Sequence, residues 1–234
     1  MKVKHAMILA AGLGTRMRPL SINTPKPLLE IGKKNLLQRA IDLLDSYGIN
    51  QIIINVHHLA DQIENFISSY NTRAKIIISN EKELLLDTGG GVKNGTKLFE
   101  KKPFFVINPD TLWENYYLKE MELLEQIYFK NKKPCLLLVD KKLSLDTSFK
   151  GDFNLKENLV LKGVTNEFIF TGLQLIDREG LNLIDKKIFS MNEVWDKLIK
   201  AKKLLGIESK QKFYHINTEK MYKKISSLIR KDFR

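Results

Sequence analysis

The chain is poor in the features that mark secreted and membrane proteins. A single cysteine, Cys135, among 234 residues excludes an internal disulfide and agrees with a reducing compartment. Its place in the apolar run Cys135-Leu136-Leu137-Leu138-Val139 reads as a buried, unreactive thiol. No apolar stretch approaches the length of a membrane span, and the run after Lys4 is short and unlike a secretory leader. Internal repeats, low-complexity tracts and linkers are absent. The expectation is one α/β domain over residues 1–234, cytoplasmic, without a membrane partner, working as a monomer or homodimer.

Acidic residues are the minority charge, 27 against 39 Lys and Arg, for a formal net charge of +12. The lysines are spread along the whole chain. Only the C-terminal third is dense, with Lys200, Lys202, Lys203, Lys210, Lys212, Lys220, Lys223, Lys224, Arg230 and Lys231. No DNA- or RNA-binding motif accompanies them, so nucleic acid is excluded as the main partner. A solvated basic face that steers anionic substrates is the reading that remains.

Among what is present, His5 to Leu29, HAMILAAGLGTRMRPLSINTPKPLL, organises the rest. An apolar run through Leu9 and Ala10 reads as a strand buried on both faces, and it breaks at Ala11-Gly12-Leu13-Gly14-Thr15-Arg16. Glycines at a strand end let backbone N–H groups approach an anion. Arg16, Arg18 and Lys26 add three cations, and Arg grips phosphate oxygens in a bidentate way. The dinucleotide fingerprint requires a third glycine where Met17 stands, and the P-loop requires Gly-Lys-Ser/Thr, which is missing.

The elements that follow read β-α-β-α-β over the first eighty residues. Leu36 to Tyr47 has helical spacing and stops at Gly48, Gln51 to Val56 is a β-branched strand, a helix carries Leu59, Ile63, Phe66 and Ile67, and Lys75 to Ser79 is a third strand. This is the pattern of a parallel sheet with helices on both faces. His57 and His58 read as loop features. Glu81 to Gly91, EKELLLDTGGG, opens a helix (Val92, Leu98 and Phe99 apolar) with a side chain-free surface suited to a base or a phosphate. Phe104 to Ile107 is a strand that delivers Asn108, Pro109 and Asp110 to the ligand crevice of an open sheet. Asp110 is the first candidate ligand for Mg²⁺, with Mn²⁺ as the variant; the competing reading makes it the cap of a helix beginning near Glu114. A helix through Leu118 and Tyr128 leads to the Cys135 strand. Short strands follow over residues 149–155, 159–161 and 167–176, then a helix around Asn192 to Leu204 with Leu205 apolar, and a last helix.

Gly12-Leu13-Gly14-Thr15-Arg16-Met17-Arg18-Pro19-Leu20 followed by Pro25-Lys26-Pro27-Leu28 resembles the signature of the sugar-1-phosphate nucleotidyltransferases, which make nucleoside-diphosphate sugars. Gly151-Asp152-Phe153 and Phe170-Thr171-Gly172 are similar to the short N-acetylmuramate 1-phosphate uridylyltransferases and mannose 1-phosphate guanylyltransferase-like members. The resemblance implies a Rossmann-like three-layer α/β/α fold with a mixed, mainly parallel sheet and a small sugar-binding β subregion. Residues 1–140 form the nucleotide half and 141–234 the sugar half. It implies a nucleoside triphosphate, UTP or GTP, and a sugar 1-phosphate as substrates. Leu9, Ala10, Ala11, Gly12, Gly14, Thr15, Arg16, Glu81, Thr88, Gly89, Gly90 and Asn108 become nucleotide-binding candidates. Arg16, Lys26 and Asp110 become catalytic candidates, and Gly151, Asp152, Glu167, Thr171 and Gly172 sugar-side candidates.

Two departures stand out. Pro109 replaces the usual glycine before the aspartate, and His215-Ile216-Asn217-Thr218 stands where the family reads Asp-x-Gly-Thr, its aspartate a second metal ligand. Imidazole is a poor Mg²⁺ ligand. Three arrangements follow: metal held by Asp110 and phosphates alone, a softer metal on His215, or His215 on a phosphate. A phosphocholine acceptor, caged by Trp113, Tyr116, Tyr117 and Phe170, and a non-catalytic sensor are the rival functions.

Overall fold

The computed structural model describes residues 2–99 and 102–232; the side chains of Arg230 and Lys231, counted above in the basic third, lie outside the described part. In chain order the elements are β1 (His5–Leu9), β2 (Glu30–Ile31), β3 (Lys34–Asn35), α1 (Leu36–Tyr47), β4 (Gln51–Val56), α2 (Ala60–Ser69), β5 (Lys75–Asn80), α3 (Asp87–Gly95), β6 (Phe104–Ile107), α4 (Leu118–Asn131), β7 (Cys135–Asp140), β8 (Asn154–Lys156), β9 (Leu159–Leu161), β10 (Phe168–Ile176), α5 (Arg178–Leu181), α6 (Met191–Lys200), β11 (Leu205–Ser209) and α7 (Glu219–Asp232).

One nine-stranded sheet, in the order β5-β4-β1-β6-β10-β7-β11-β9-β8, runs through both halves of the chain. β1 pairs in parallel with β4 and β6. β10 runs antiparallel between β6 and β7, and its register shifts between Phe170 and Gln174. β1 explains the layering. Its successive side chains point to opposite faces, and Ala6, Met7 and Ile8 are all fully buried. Ala6 and Ile8 join the cluster of Leu37, Ala40 and Ile41 of α1 and Met121 and Leu124 of α4. Met7 joins the opposite cluster with Val92 of α3 and Val194, Trp195 and Leu198 of α6. The result is the expected three-layer, mainly parallel α/β/α architecture, with β1 near its middle.

Local signals account for the early boundaries. The Asn35 side chain accepts the Gln38 N–H at 2.7 Å and caps α1, which ends at Gly48 with φ +90°. Several later expectations change. α3 ends at Gly95 and a 3-10 turn carries Thr96 to Phe99, so Leu98 faces solvent at 64% exposure. The α4 helix starts at Leu118, eight residues past Asp110, so Asp110 caps no helix. α6 stops at Lys200, and Leu205 begins β11, a strand inserted between β7 and β9. Residues 149–153 form no named strand.

A third cluster lies outside the main sheet. Met17, which occupies the position of the missing third glycine, packs fully buried with Ile31, Leu36, Ile216, Met221 and Ile225. The C-terminal segment and α7 therefore lie against the signature loop and the β2–β3 hairpin. Among the described residues no helix is long and apolar enough to cross a membrane.

Cys135 is fully buried in β7, and burial pushes its thiol up to about 12. At neutral pH the folded protein should therefore resist an aromatic disulfide reagent, and one thiol should react once denaturant is added. Fast labelling of the folded chain would show that β7 opens readily.

Candidate active site

The carboxyl ends of β1, β4 and β6 border a cavity of about 460 Å³. Its wall includes Leu9, Ala10, Ala11, Gly12, Gly14, Thr15, Arg16, Lys26, Glu81, Thr88, Asn108 and Asp110, so the catalytic candidates and ten of the twelve nucleotide candidates are together. Asn55, Leu85, Asp87 and Asn217 complete it where sequence reasoning had not looked.

The glycines separate by what surrounds them. Gly14 has φ +62°, and its carbonyl accepts from the Ser21 hydroxyl at 2.7 Å, which fixes the turn. At Gly12 an added Cβ would meet nothing within 4 Å. Protein packing does not require glycine there, and a ligand lying on the loop does. Gly89 and Gly90 are buried and absent from the cavity wall. A Cβ at Gly89 would lie 2.4 Å from the Phe189 ring, and one at Gly90 would lie 2.3 Å from the Lys187 carbonyl oxygen. Their assignment to the nucleotide is thus corrected: they let α3 pack against the segment before α6, and Gly90 N–H donates to Phe189 O at 3.0 Å.

Glu81 lines the cavity with both oxygens engaged. Asn55 Nδ2 donates to Oε1 at 2.8 Å and Leu86 N–H to Oε2 at 3.0 Å, while Ala10 N–H donates to Asn55 Oδ1 at 2.8 Å. This buried chain of bonds ties the end of β1 to the 81–86 loop. The signal was a lone polar residue, Asn55, interrupting an otherwise apolar strand. His57 Nδ1 bonds to Glu81 O at 2.7 Å and His58 Nε2 to Ser21 O at 3.3 Å, so both histidines are loop ties.

Asp110 sits at the end of β6 with its side chain 20% exposed. Its Oδ2 accepts from Lys26 Nζ at 2.5 Å and faces His215 Nε2 at 3.2 Å. Burial alone would raise its carboxyl, but Lys26 and His215 outweigh burial and hold it well below the usual carboxylate range. Its other oxygen, Oδ1, is buried and has no partner. An ionised, unpaired oxygen on the cavity wall fits a hard divalent cation. His215 does not fit that role. Its Nε2 is spent on Asp110, its Nδ1 is buried without a partner, and its ring stacks on Phe149 and Phe213 at 5.6 and 5.7 Å. It is not on the cavity wall, and among the described residues no group of three His, Cys, Asp or Glu could hold a metal. Arg16, by contrast, is exposed at the loop and makes no ion pair with another described residue.

The sugar-side candidates are not on this wall. Asp152 Oδ2 accepts from Phe170 N–H at 2.9 Å, and Glu167 pairs with Lys141 at 3.0 Å. The Thr171 hydroxyl donates to Leu137 O at 2.9 Å inside the core. Gly151 and Gly172 take φ +84° and +94°, and Gly172 O accepts from Asn108 N–H at 2.8 Å. These five order β10 and its register shift. Of the aromatic cage expected for a quaternary ammonium, Trp113 and Tyr117 are core residues at 1% exposure, and none of the four lines the cavity.

The family model described as nucleotidyl transferase matches residues 5–143. The N-acetylmuramate alpha-1-phosphate uridylyltransferase of Caulobacter vibrioides is 28% identical over 221 residues, 91% of each chain. Mannose-1-phosphate guanylyltransferase 1 of Arabidopsis thaliana is 35% identical over 120 residues, half of this chain and 33% of that one. A UDP-glucose pyrophosphorylase crystallised with UDP-glucose superposes with a TM-score of 0.79 at 19% identity, over 99% of this chain and 100% of that one, a likeness of fold.

The glycine assignments are separable by experiment. Gly89→Ala and Gly90→Ala should each destabilise the fold by about 1–3 kcal/mol through overpacking, measured by denaturant unfolding. Gly12→Ala should leave unfolding unchanged and weaken triphosphate binding about tenfold, since its Cβ meets only ligand; unchanged binding would place the phosphates elsewhere.

Proposed function

The chain belongs to the nucleotidyl transferase family, and from that premise we propose that it moves a nucleoside monophosphate from UTP or GTP to a sugar 1-phosphate with release of pyrophosphate. The observation that carries this reading is the cavity wall itself. A glycine loop with open space at Gly12, two cations, Arg16 and Lys26, and an ionised carboxylate with a free oxygen all face one volume. The reading treats residues 1–234 as one cytoplasmic transferase domain, the first 140 holding nucleotide and the remainder shaping the acceptor side.

In the reaction a phosphate oxygen of the sugar 1-phosphate attacks the α-phosphorus in line and pyrophosphate leaves. The nucleophile is already anionic, so no side chain has to remove a proton. Positioning and charge neutralisation carry the rate. Backbone N–H groups of the Gly12–Thr15 loop receive the phosphates, and Arg16, free of protein partners, neutralises the β- and γ-phosphates and the charge growing on the leaving group. Lys26 donates one of its three protons to Asp110 and has two for the phosphates that react. Asp110 Oδ1 would hold a divalent cation, Mg²⁺ or Mn²⁺, which supplies Lewis-acid neutralisation of the phosphate oxygens when bound. Glu81 acts as a positioning residue through Asn55 and Ala10.

The reading is tested by pyrophosphate release from four nucleoside triphosphates against N-acetylmuramate 1-phosphate, mannose 1-phosphate, glucose 1-phosphate and phosphocholine. Release from one triphosphate with one sugar phosphate is expected; release only with phosphocholine, or none with triphosphate bound, overturns it. With the substrate pair in hand, Arg16→Ala should lower kcat about 10²-fold or more with a smaller change in KM, because its charge matters most in the transition state. A normal kcat with lost acceptor affinity would remove Arg16 from that role.

A further inference from the structure

The loss of the second family carboxylate leaves the question of what else holds the cation, and the answer lies two residues beyond His215. The segment 215–218 is pinned beside Asp110. Ile216 N–H donates to Asp110 O at 2.7 Å, Thr111 and His215 form an isolated bridge, and the Ile216 side chain is fully buried with Met17 and Ile31. Asn217 follows directly. It is 8% exposed and lines the same cavity as Asp110.

The direction of its amide is set by Asp146. Asn217 Nδ2 donates to Asp146 Oδ2 at 3.1 Å, while Asp146 Oδ1 accepts from the backbone N–H and hydroxyl of Ser148 at 3.0 and 2.6 Å. A carboxylate only accepts, so the amide must turn its NH₂ to Asp146. Asp146 is not part of the cavity wall, which leaves the carbonyl end of Asn217 on the cavity side. That oxygen, Oδ1, is buried and has no partner, as is Asp110 Oδ1. Two orphaned oxygens on one wall, one anionic and one neutral, are unusual because buried polar atoms are nearly always paired.

We propose that Asn217 Oδ1 is the second protein oxygen ligand of the divalent cation held at Asp110, with Asp146 as the residue that orients it. The inference rests on the reading of Asp110 given above and names a donor that no sequence correspondence supplies, since Asn217 occupies the place of a family glycine, which has no side chain. A carboxylate plus an amide carbonyl is an all-oxygen set, suited to Mg²⁺ or Mn²⁺ and completed by phosphate and water oxygens.

The probe is Mn²⁺ alone, titrated into the full chain and followed by loss of the free-ion electron paramagnetic resonance signal. Asn217→Ala should weaken Mn²⁺ binding about tenfold and Asn217→Asp should tighten it by a similar factor, while Asp146→Ala weakens it and Asp146→Asn, which keeps an acceptor oxygen, restores it. Melting curves establish that each variant folds. If Asn217→Ala does not fold, Asn217→Asp decides: no tightening overturns the proposal. Wild-type affinity in Asn217→Ala together with loss in Asp110→Asn overturns the role of Asn217 and leaves that of Asp110 standing. Wild-type affinity in Asp110→Asn, or no Mn²⁺ binding by the native chain, overturns both.

Discussion

The buried charge of Asp110 is the constraint on which the rest of the site depends. Removing an ionised carboxylate from water costs roughly several kcal/mol unless it is paired and hydrogen-bonded. Lys26 and His215 provide that pairing from opposite ends of the chain. Their delivery explains much of the surrounding architecture. Lys26 opens a 3-10 turn with Pro25 before it and Pro27 within it, so the Pro-Lys-Pro-Leu sequence is a rigid mount for one ammonium group. His215 arrives on a segment whose register is fixed by the Ile216 to Asp110 backbone bond and sealed by the cluster around Met17 and Ile216. Strand β6, buried along its full length, holds the carboxylate at the sheet edge where β1 ends its own run.

The glycines show a second division of labour. A glycine that faces empty space and one that faces a packed ring look alike in sequence, yet they answer different demands. Gly12 leaves room outward for a ligand. Gly91 leaves room inward: a Cβ there would stand 2.8 Å from Glu81 Oε1 and 2.9 Å from Asn55 Nδ2. The Asn55–Glu81 bridge is therefore possible only because α3 begins without side chains on that face. The triple glycine of the Asp87-Thr88-Gly89-Gly90-Gly91 run serves packing and polar order first, and only Asp87 and Thr88 of that run reach the cavity.

How much of this could be read from the sequence follows the range of the interactions involved. β1, α1, β4 and β5 were legible because their apolar spacing and caps are local, and β6 with Asp110 because an apolar run ends in a carboxylate. β11 was not. Leu205-Gly206-Ile207-Glu208-Ser209 has no continuous apolar run, and it becomes a central strand because β7 and β9 supply its partners. The sugar-side candidates failed for a related reason: Asp152 and Glu167 look free in sequence, and each is engaged by a group 18 or 26 residues away. Asn217 shows the same limit in reverse. Nothing local distinguishes it, because its orientation is set by Asp146, 71 residues earlier.

The exchange of a second carboxylate for His215 and Asn217 changes the electrostatics of the site in a definite direction. Two carboxylates at one cation site repel each other until the cation arrives, so such a site binds metal strongly by itself. Here one carboxylate is already neutralised by two cationic or polar donors, and the second oxygen is neutral. A cation entering alone meets little net negative charge and the nearby ammonium of Lys26. A triphosphate changes that balance, since its oxygens bring the missing negative charge and give Lys26 a second set of acceptors. Cation and nucleotide therefore favour each other's binding, and by linkage the gain is the same in either order. The sequence change that removes a metal ligand thus need not remove metal chemistry; it transfers part of the cation's attachment from the protein to the substrate.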